Sequence, residues 1–339
     1  MKGITWPKGT SCLGIALLVA GTTGASCSRS PLEAAPRPTP DGSADNLDAP
    51  NVRRADTAVS ADVAPNPQRD FGPDGEPSAV AFASVSAGGQ FACGVRTNRT
   101  IACWGDNFYG QATPPEGTFA SVTAGSYFAC GVRTNGTIAC WGDDYYGQAT
   151  PPAGTFASVS ASSVYACGVR TDGTITCWGD ISYGGASPPA GTFASVSAKN
   201  DLACGLRTDS TIACWGYNTD GSTSPPAGTF ASVSAGSSFA CGLRTDGTIA
   251  CWGNRSYGEA SPPAGTFASV SAGSIFACAA RLDGTIICWG DNSYGEATPP
   301  TGTFASVGAG GDYVVCGVRT DGTIACWGDN TYGQATPPP

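Results

Sequence analysis

Histidine is absent from this chain of 339 residues, lysine occurs only at Lys2, Lys8 and Lys199, and charged residues make up 13% of the sequence. Each scarcity excludes something. Without histidine, Ser-His-Asp triads and most metal hydrolases drop out. Without a basic stripe nothing tracks a phosphate backbone, and the formal net charge of −9 works against one, so nucleic acid is not an expected partner. Glutamate is rare in the second half as well. Paired-carboxylate glycosidase chemistry needs two acids at a set separation, and only Glu116, Glu259 and Glu296 break an otherwise repetitive pattern, in connectors. The expected chain is not an enzyme and needs no cofactor.

Cysteine, by contrast, is abundant, with 16 in all. In a cytosolic protein that number suggests metal or redox chemistry, and in an exported one it suggests disulfides. The N-terminus points to export. Lys2 and Lys8 precede the apolar run "CLGIALLVAG" (12–21), and small residues, "TTGASC" (22–27), follow. That run is too short to span a bilayer as a mature helix, and the whole reads as a signal peptide over 1–26. "GASC" resembles a bacterial lipoprotein cleavage box, with Gly24 where that family has leucine. The resemblance implies a lipid on Cys27 and a place in the cell envelope, with no other contact with the membrane. Ordinary cleavage near Ala25 or Ser26, giving a secreted protein, is the alternative. Residues 27–78 are rich in Pro, Ala, Asp and Ser without apolar periodicity. Such a segment cannot offset its ordering entropy and reads as a disordered tether.

From Phe82 the chain repeats every 37 residues, with copies starting at Phe82, Phe119, Phe156, Phe193, Phe230, Phe267 and Phe304. The last copy carries one extra residue in "GAGGDYVVC" (308–316). Short alternating runs of Thr, Val, Ile, Ser, Phe and Trp between Gly, Pro and Asp-Gly signals are strand chemistry. Three strands fit each copy: "ASVSA", "FACGVR" and "TIACWG". The proline pairs, as at 114–115, forbid a central strand and make "QATPPAGT" a connector.

Hairpin register decides what the cysteines do. With Asn135-Gly136 as a two-residue turn, Cys130 would oppose Trp141. A three-residue loop, Thr134 to Gly136 with Gly136 left-handed, pairs Arg133 with Thr137, Val132 with Ile138 and Cys130 with Cys140. That last pair is non-hydrogen-bonded, with Cα atoms about 4.5 Å apart, within disulfide reach. Zinc would want clustered CxxC and His ligands, which are missing. The expected bridges are Cys93–Cys103, Cys130–Cys140, Cys167–Cys177, Cys204–Cys214, Cys241–Cys251, Cys278–Cys288 and Cys316–Cys326. Each is worth roughly 2–3 kcal/mol.

The same register puts Phe128, Cys130, Val132, Ile138 and Cys140 on one face, and Ala129, Gly131, Ala139 and Trp141 on the other. Both faces are apolar, as in a sheet covered on both sides. Seven such sheets packed radially make an all-β, seven-bladed β-propeller over 79–339, with about three antiparallel strands per blade. An open stack would need polar end repeats, and the first and last copies are ordinary.

The string "AG–F–CGVRTDGTIACWGDNSYGQ" resembles the regulator of chromosome condensation repeat, with Trp, Gly, Asp-Gly and the terminal Gly-Gln in register through all seven copies. Its short period and "GQATPP" connector are closest in style to the propeller-type β-lactamase inhibitor proteins. That resemblance implies seven blades and an inhibitory role against a secreted hydrolase. The family's histidine is replaced by Phe91, Phe128, Tyr165, Leu202, Phe239, Phe276 and Tyr313 or a neighbour. The nuclear founder's nucleotide-exchange activity needs a small GTPase that an exported chain would not meet.

Strand direction places the first connection (124–128) and the exit loop (142–147) at one end, called the upper end below. Variation among copies concentrates there: Gln90, Tyr127, Val164, Asp201, Ser238, Ile275 and Asp312 in the first segment, Phe108, Tyr145, Ser182, Thr219, Ser256, Ser293 and Thr331 in the second. The candidate binding rim is Gln90, Phe108, Tyr109, Tyr127, Tyr145 and Tyr146. Drift of unpacked loops would produce the same variation. Arg96 and its six equivalents ring the lower end, where an Asp or Asn two residues on suggests local pairing rather than an anion site. Asp and Asn oxygens in "GDNxYG" suit calcium in type, without a full ligand set in any loop. The expected function is a non-catalytic protein-binding propeller acting as a monomer. An enzyme inhibitor and a structural envelope or coat protein are the alternatives.

Overall fold

The computed structural model describes residues 81–338 apart from 181, 183–186, 219 and 312. All of these lie in the second of the two units into which the chain divides, Pro67–Pro339. The signal peptide, Cys27 and the tether lie outside the described residues.

Twenty-one strands form seven separate three-stranded antiparallel sheets, one per repeat and each in chain order. The first blade consists of Phe82–Ala87, Phe91–Arg96 and Ile101–Gly105, and the last of Phe304–Ala309, Val314–Arg319 and Ile324–Gly328. The proline-containing connectors carry no strand, as their missing N–H groups require. The first strand of each blade is innermost, and the seven together line an axial cavity of about 170 Å³. The middle strand is buried throughout except for its terminal arginine, and the third is the outer edge.

The hairpin register is the expected one. Val132 faces Ile138, Gly131 faces Ala139, and Cys130 faces Cys140. The Arg133 N–H donates to the Thr137 carbonyl at 2.7 Å, and Gly136 closes the loop at φ 84°. All seven expected disulfides are present, with Cα separations of 4.0–4.1 Å, slightly closer than the expected spacing.

One irregularity recurs in every inner strand. Phe82 pairs with Arg96 and Ser84 with Val95, so Ala83 is an extra, exposed residue in a β-bulge. The bulge lays the phenylalanine ring across the small face of its own blade. In the second blade the Phe119 ring lies where a Cβ on Gly131 would fall, 2.7 Å from its Cδ1, and meets Trp141 edge-on at 6.3 Å. That accounts for the glycine. In the sixth copy Ala279 stands there, and Trp289 alone among the blade tryptophans is only half-buried.

Blades join through seven apolar clusters, each made by two neighbours. Phe91, Cys93, Ile101 and Cys103 of the first blade pack against Val122, Ala124, Ala129 and Trp141 of the second. The ring closes within the chain: Val314, Cys316 and Val318 pack against Phe82, Ala92 and Trp104. A belt of hydrogen bonds around the axis repeats the closure, from the Gly89 N–H to the Gly125 carbonyl (3.0 Å) through to the Gly311 N–H and the Gly88 carbonyl (2.8 Å). Beneath it, Ser86 Oγ accepts the Ala124 N–H at 3.0 Å, and the equivalent bond recurs up to Ser271 and Ala309. The seventh blade has Gly308 at this position, and a Cβ there would lie 2.9 Å from the Val85 carbonyl.

The fourth copy departs most in backbone. Ser210 holds the turn position of Gly136 at φ 68°, and Asn200 and Asp220 are also left-handed. For a residue with a Cβ this conformation costs about 1–2 kcal/mol. Ser210→Gly should therefore raise stability by up to about 1 kcal/mol in chemical denaturation, after allowing for glycine's larger unfolded-state entropy. Truncation after Gly302 should lower the melting temperature far more than one blade's share of core, because it exposes two blade faces; melting near that of the full chain would contradict a closed ring.

Candidate functional site

The upper end is built by backbone contact between two loops of each blade. The Asp143 N–H donates to the Tyr127 carbonyl at 3.0 Å, and the same bond recurs from Asp106 to Gln90 and from Asp329 to Tyr313. The described exit loops are then tied by their own side chains. In the second blade, Gln148 Oε1 accepts the Tyr146 N–H at 2.7 Å while its Nε2 donates to Asp143 Oδ2 at 2.8 Å. Asp144 accepts from the Ala149 N–H and the Thr150 hydroxyl. Oxygens of calcium-binding type are thus committed to closing the loop. Among the described residues no three of His, Cys, Asp and Glu come together in a group able to hold a metal.

With polar groups turned inward, the rings between them point out. Phe108 and Tyr145 are 81% and 83% exposed, and Tyr109, Tyr127 and Tyr146 are exposed as well. Phe108 meets Tyr109 edge-on at 4.9 Å, and Tyr145 meets Tyr146 at 4.8 Å. Tyr109 reaches Tyr127 of the next blade at 5.7 Å, which makes the arc continuous across a blade boundary. Gln90 is half-buried and contributes mainly its carbonyl.

Two expectations change. The seventh copy's extra residue precedes Tyr313, so Val314 fills the buried position of Phe128, and Tyr313 takes the rim position of Tyr127. Tyr313 stacks on Tyr294 at 4.4 Å, a second aromatic contact across blades that the sequence reading passed over by taking Asp312 as the rim residue. Asp312 itself, like Thr219, lies outside the described residues. The second change concerns the arginines. Arg133 does not settle on its turn. Its guanidinium lies over the Phe119 ring at 4.9 Å and donates to the Glu116 carbonyl at 2.9 Å, clasping the connector. The turn acid binds the threonine after it instead: Asp172 Oδ1 accepts from Thr174 Oγ1 and N, and these bonds hold its carboxyl below the usual aspartate range, with a smaller contribution from Arg170.

Sequence reading also missed the exposed Tyr217, Tyr257, Tyr294 and Tyr332. For Tyr257, Tyr294 and Tyr332 the repeated "YG" was the available signal, but a residue common to most copies reads as structural; Tyr217 stands instead where other copies have the exit-loop acid.

Under the rim lies an anomaly. The buried partner of the exit-loop acid is Gln111, Gln148 and Gln334 in three blades. The fifth blade reverses the pair as Asn254 and Glu259, and the Asn254 amide donates to Asp220 of the fourth blade at 2.9 Å. The sixth sets Asp291 against Glu296, two acids, with Glu296 fully buried and its Oε1 without a partner. Burial first, then the Asp291 carboxylate, push the Glu296 carboxyl above its ordinary 4.5. A raised folded value means that the stabilisation is complete below the unfolded value and is lost as pH rises through the folded one. Glu296→Gln, which supplies the amide found in three other blades, should stabilise the protein by about 1–3 kcal/mol at neutral pH and less in acid. Melting curves from pH 4 to 8 would show it; a constant difference across that range would contradict the buried acid pair.

Residues 82–111, 119–148, 230–259, 267–296 and 304–334 match the model of the Regulator of chromosome condensation (RCC1) repeat. Among solved structures, the chain is similar to the ectodomain of the Physcomitrella patens receptor kinase CR4, with 28% identity, a TM-score of 0.63 and 74% of each chain covered. The CRINKLY WD40 ectodomain of the Arabidopsis thaliana receptor kinase ACR4 is similar at 26% identity and a TM-score of 0.63, covering 74% of this chain and 96% of that one. Prp20p of Saccharomyces cerevisiae shares the fold at 14% identity and a TM-score of 0.59, covering 72% of this chain and 81% of that one. No curated protein matches the chain. The third and fourth copies share the sheets, register and disulfides of the five matched ones, and the chain is accordingly a seven-bladed β-propeller, five of whose blades match the regulator of chromosome condensation repeat.

Proposed function

We propose that this chain is an exported, non-catalytic protein-binding propeller whose working surface is the upper rim around Gln90, Phe108, Tyr109, Tyr127, Tyr145 and Tyr146. The observation that carries the reading is the exposure of Phe108 and Tyr145, 81% and 83%, on loops that are otherwise fully tied down. Aromatic rings held on a rigid frame give contact area at low entropic cost, and such rings dominate binding energy at protein interfaces. Drifting loops would have no reason to keep large apolar side chains in water.

The comparisons support the class. The yeast Prp20p structure is described with its binding to Gsp1p and histones, and yeast RCC1 (Prp20) has been solved with Kap60 bound, so propellers of this fold do take protein partners. Both plant relatives are receptor ectodomains, and seven disulfides persist only in an oxidising compartment, which favours export. The signal peptide (1–26), a lipid on Cys27 and a flexible tether (27–78) complete the proposal: a monomeric disc held off the envelope surface, touching the membrane only through its anchor.

Alanine at Tyr127 and at Tyr145 should each weaken capture of the envelope partner by more than about 1 kcal/mol without moving the melting temperature. Substitution of Asn135 or Asp172, at the opposite end, should leave affinity unchanged. Capture that depends on the lower end instead would move the site to the arginine ring. Stoichiometric loss of activity in a panel of secreted hydrolases would identify the partner as an enzyme.

A further inference from the structure

Charge on this disc is not spread evenly. Of the ten basic residues within 81–338, only Lys199 and Arg255 belong to the upper end, in the fourth and fifth copies. The eight others sit on the arginine-bearing turns below. The upper loops carry instead Asp106, Asp143, Asp144, Asp180, Asp201, Asp220, Asp291 and Asp329. Three of these, Asp106, Asp143 and Asp144, stand in the two exit loops that also carry Phe108, Tyr109, Tyr145 and Tyr146, and those loops hold no basic residue.

We propose that this arc receives a lysine- or arginine-bearing segment of its protein partner, an inference that rests on the rim being the binding face. The faces of aromatic rings carry negative charge density and attract ammonium and guanidinium groups. Here the rings are outward, in contact as two groups (Phe108, Tyr109 and Tyr127; Tyr145 and Tyr146), and flanked by carboxylates whose positions are fixed by bonds to their own loops, such as Asp144 to the Ala149 N–H at 2.8 Å. The molecule uses the same chemistry internally: Arg133 and its six equivalents each lie over a phenylalanine ring at 4.8–5.6 Å. On the arc the rings and the acids are in place and the cation is left for a partner to bring. An acidic segment would meet like charge there with nothing to pair it.

The test uses the full chain and a fluorescein-labelled octapeptide alternating arginine and glycine, with its glutamate counterpart, read by fluorescence anisotropy in 150 mM NaCl. The arginine peptide should bind and the glutamate peptide should not. Phe108→Ala with Tyr145→Ala should weaken binding about fivefold or more. Asp144→Asn, which copies Asn107 of the first blade in shape, should weaken it about twofold and flatten its salt dependence. Tyr257→Ala, beside Arg255, should change nothing. No binding, or equal loss in Tyr257→Ala, overturns the inference, since attraction would then be absent or general. If envelope capture depends on Phe108 and Tyr145 while the peptide ignores them, the rim stands as the binding face and the cationic partner falls. If neither depends on them, both fall.

Discussion

Among the described residues, the indole N–H of six blade tryptophans reaches back to a carbonyl at the end of the preceding blade's exit loop. Trp141 donates to Gln111 at 2.9 Å, Trp178 to Gln148 at 2.9 Å, and Trp104 closes the circle on Gln334 at 2.9 Å. The accepting residue is itself buried, and its side chain holds the loop that presents the rim rings. One bond therefore connects the core between two blades to the surface above it. A buried indole N–H left unpaired would cost about 1–3 kcal/mol, so each loop is held to the next blade's core, and the geometry of the rim is a property of the closed ring.

The covalent and aromatic parts serve the same end. A three-stranded sheet apolar on both faces has both to remove from water, and every blade depends on two neighbours to cover it. The disulfide lies on the face that enters the interblade cluster, and the first cysteine of each pair is fully buried. On the opposite face the bulged phenylalanine fills the space left by a glycine and carries an arginine on its outer side. The chain thus builds its core from stapled hairpins and stacked rings, which accounts for so many cysteines and so few long aliphatic side chains.

Repetition turns the departures into internal comparisons. Asn254 with Glu259 inverts the Asp-Gln pair and still supplies an amide, which donates to Asp220 of the fourth blade, whereas Asp291 with Glu296 supplies none. The fourth copy puts Ser210 where glycine is suited, and Tyr217 and Ser222 where the acid and its amide stand elsewhere. These sites lie in one frame, so each difference has a local physical consequence without a change of fold.

Much of the architecture was legible in the residues. The 37-residue period, the proline pairs and the ten-residue cysteine spacing fixed strand number, hairpin register and bridging, because strand periodicity and disulfide reach are local constraints that leave one consistent pairing. Closure followed from two apolar faces and unexceptional end copies. What the pattern could not supply was the bulge at Phe82, the ring lying on Gly131, and Arg133 leaving its turn for Phe119. Nor did it show that Tyr313 and not Asp312 occupies the rim. Each depends on contact between neighbouring strands or blades, where the deciding quantity is the space left by a neighbour. Sequence determined the repeat and its staple; only the assembled ring decided which side chains had room inside and which were left facing water.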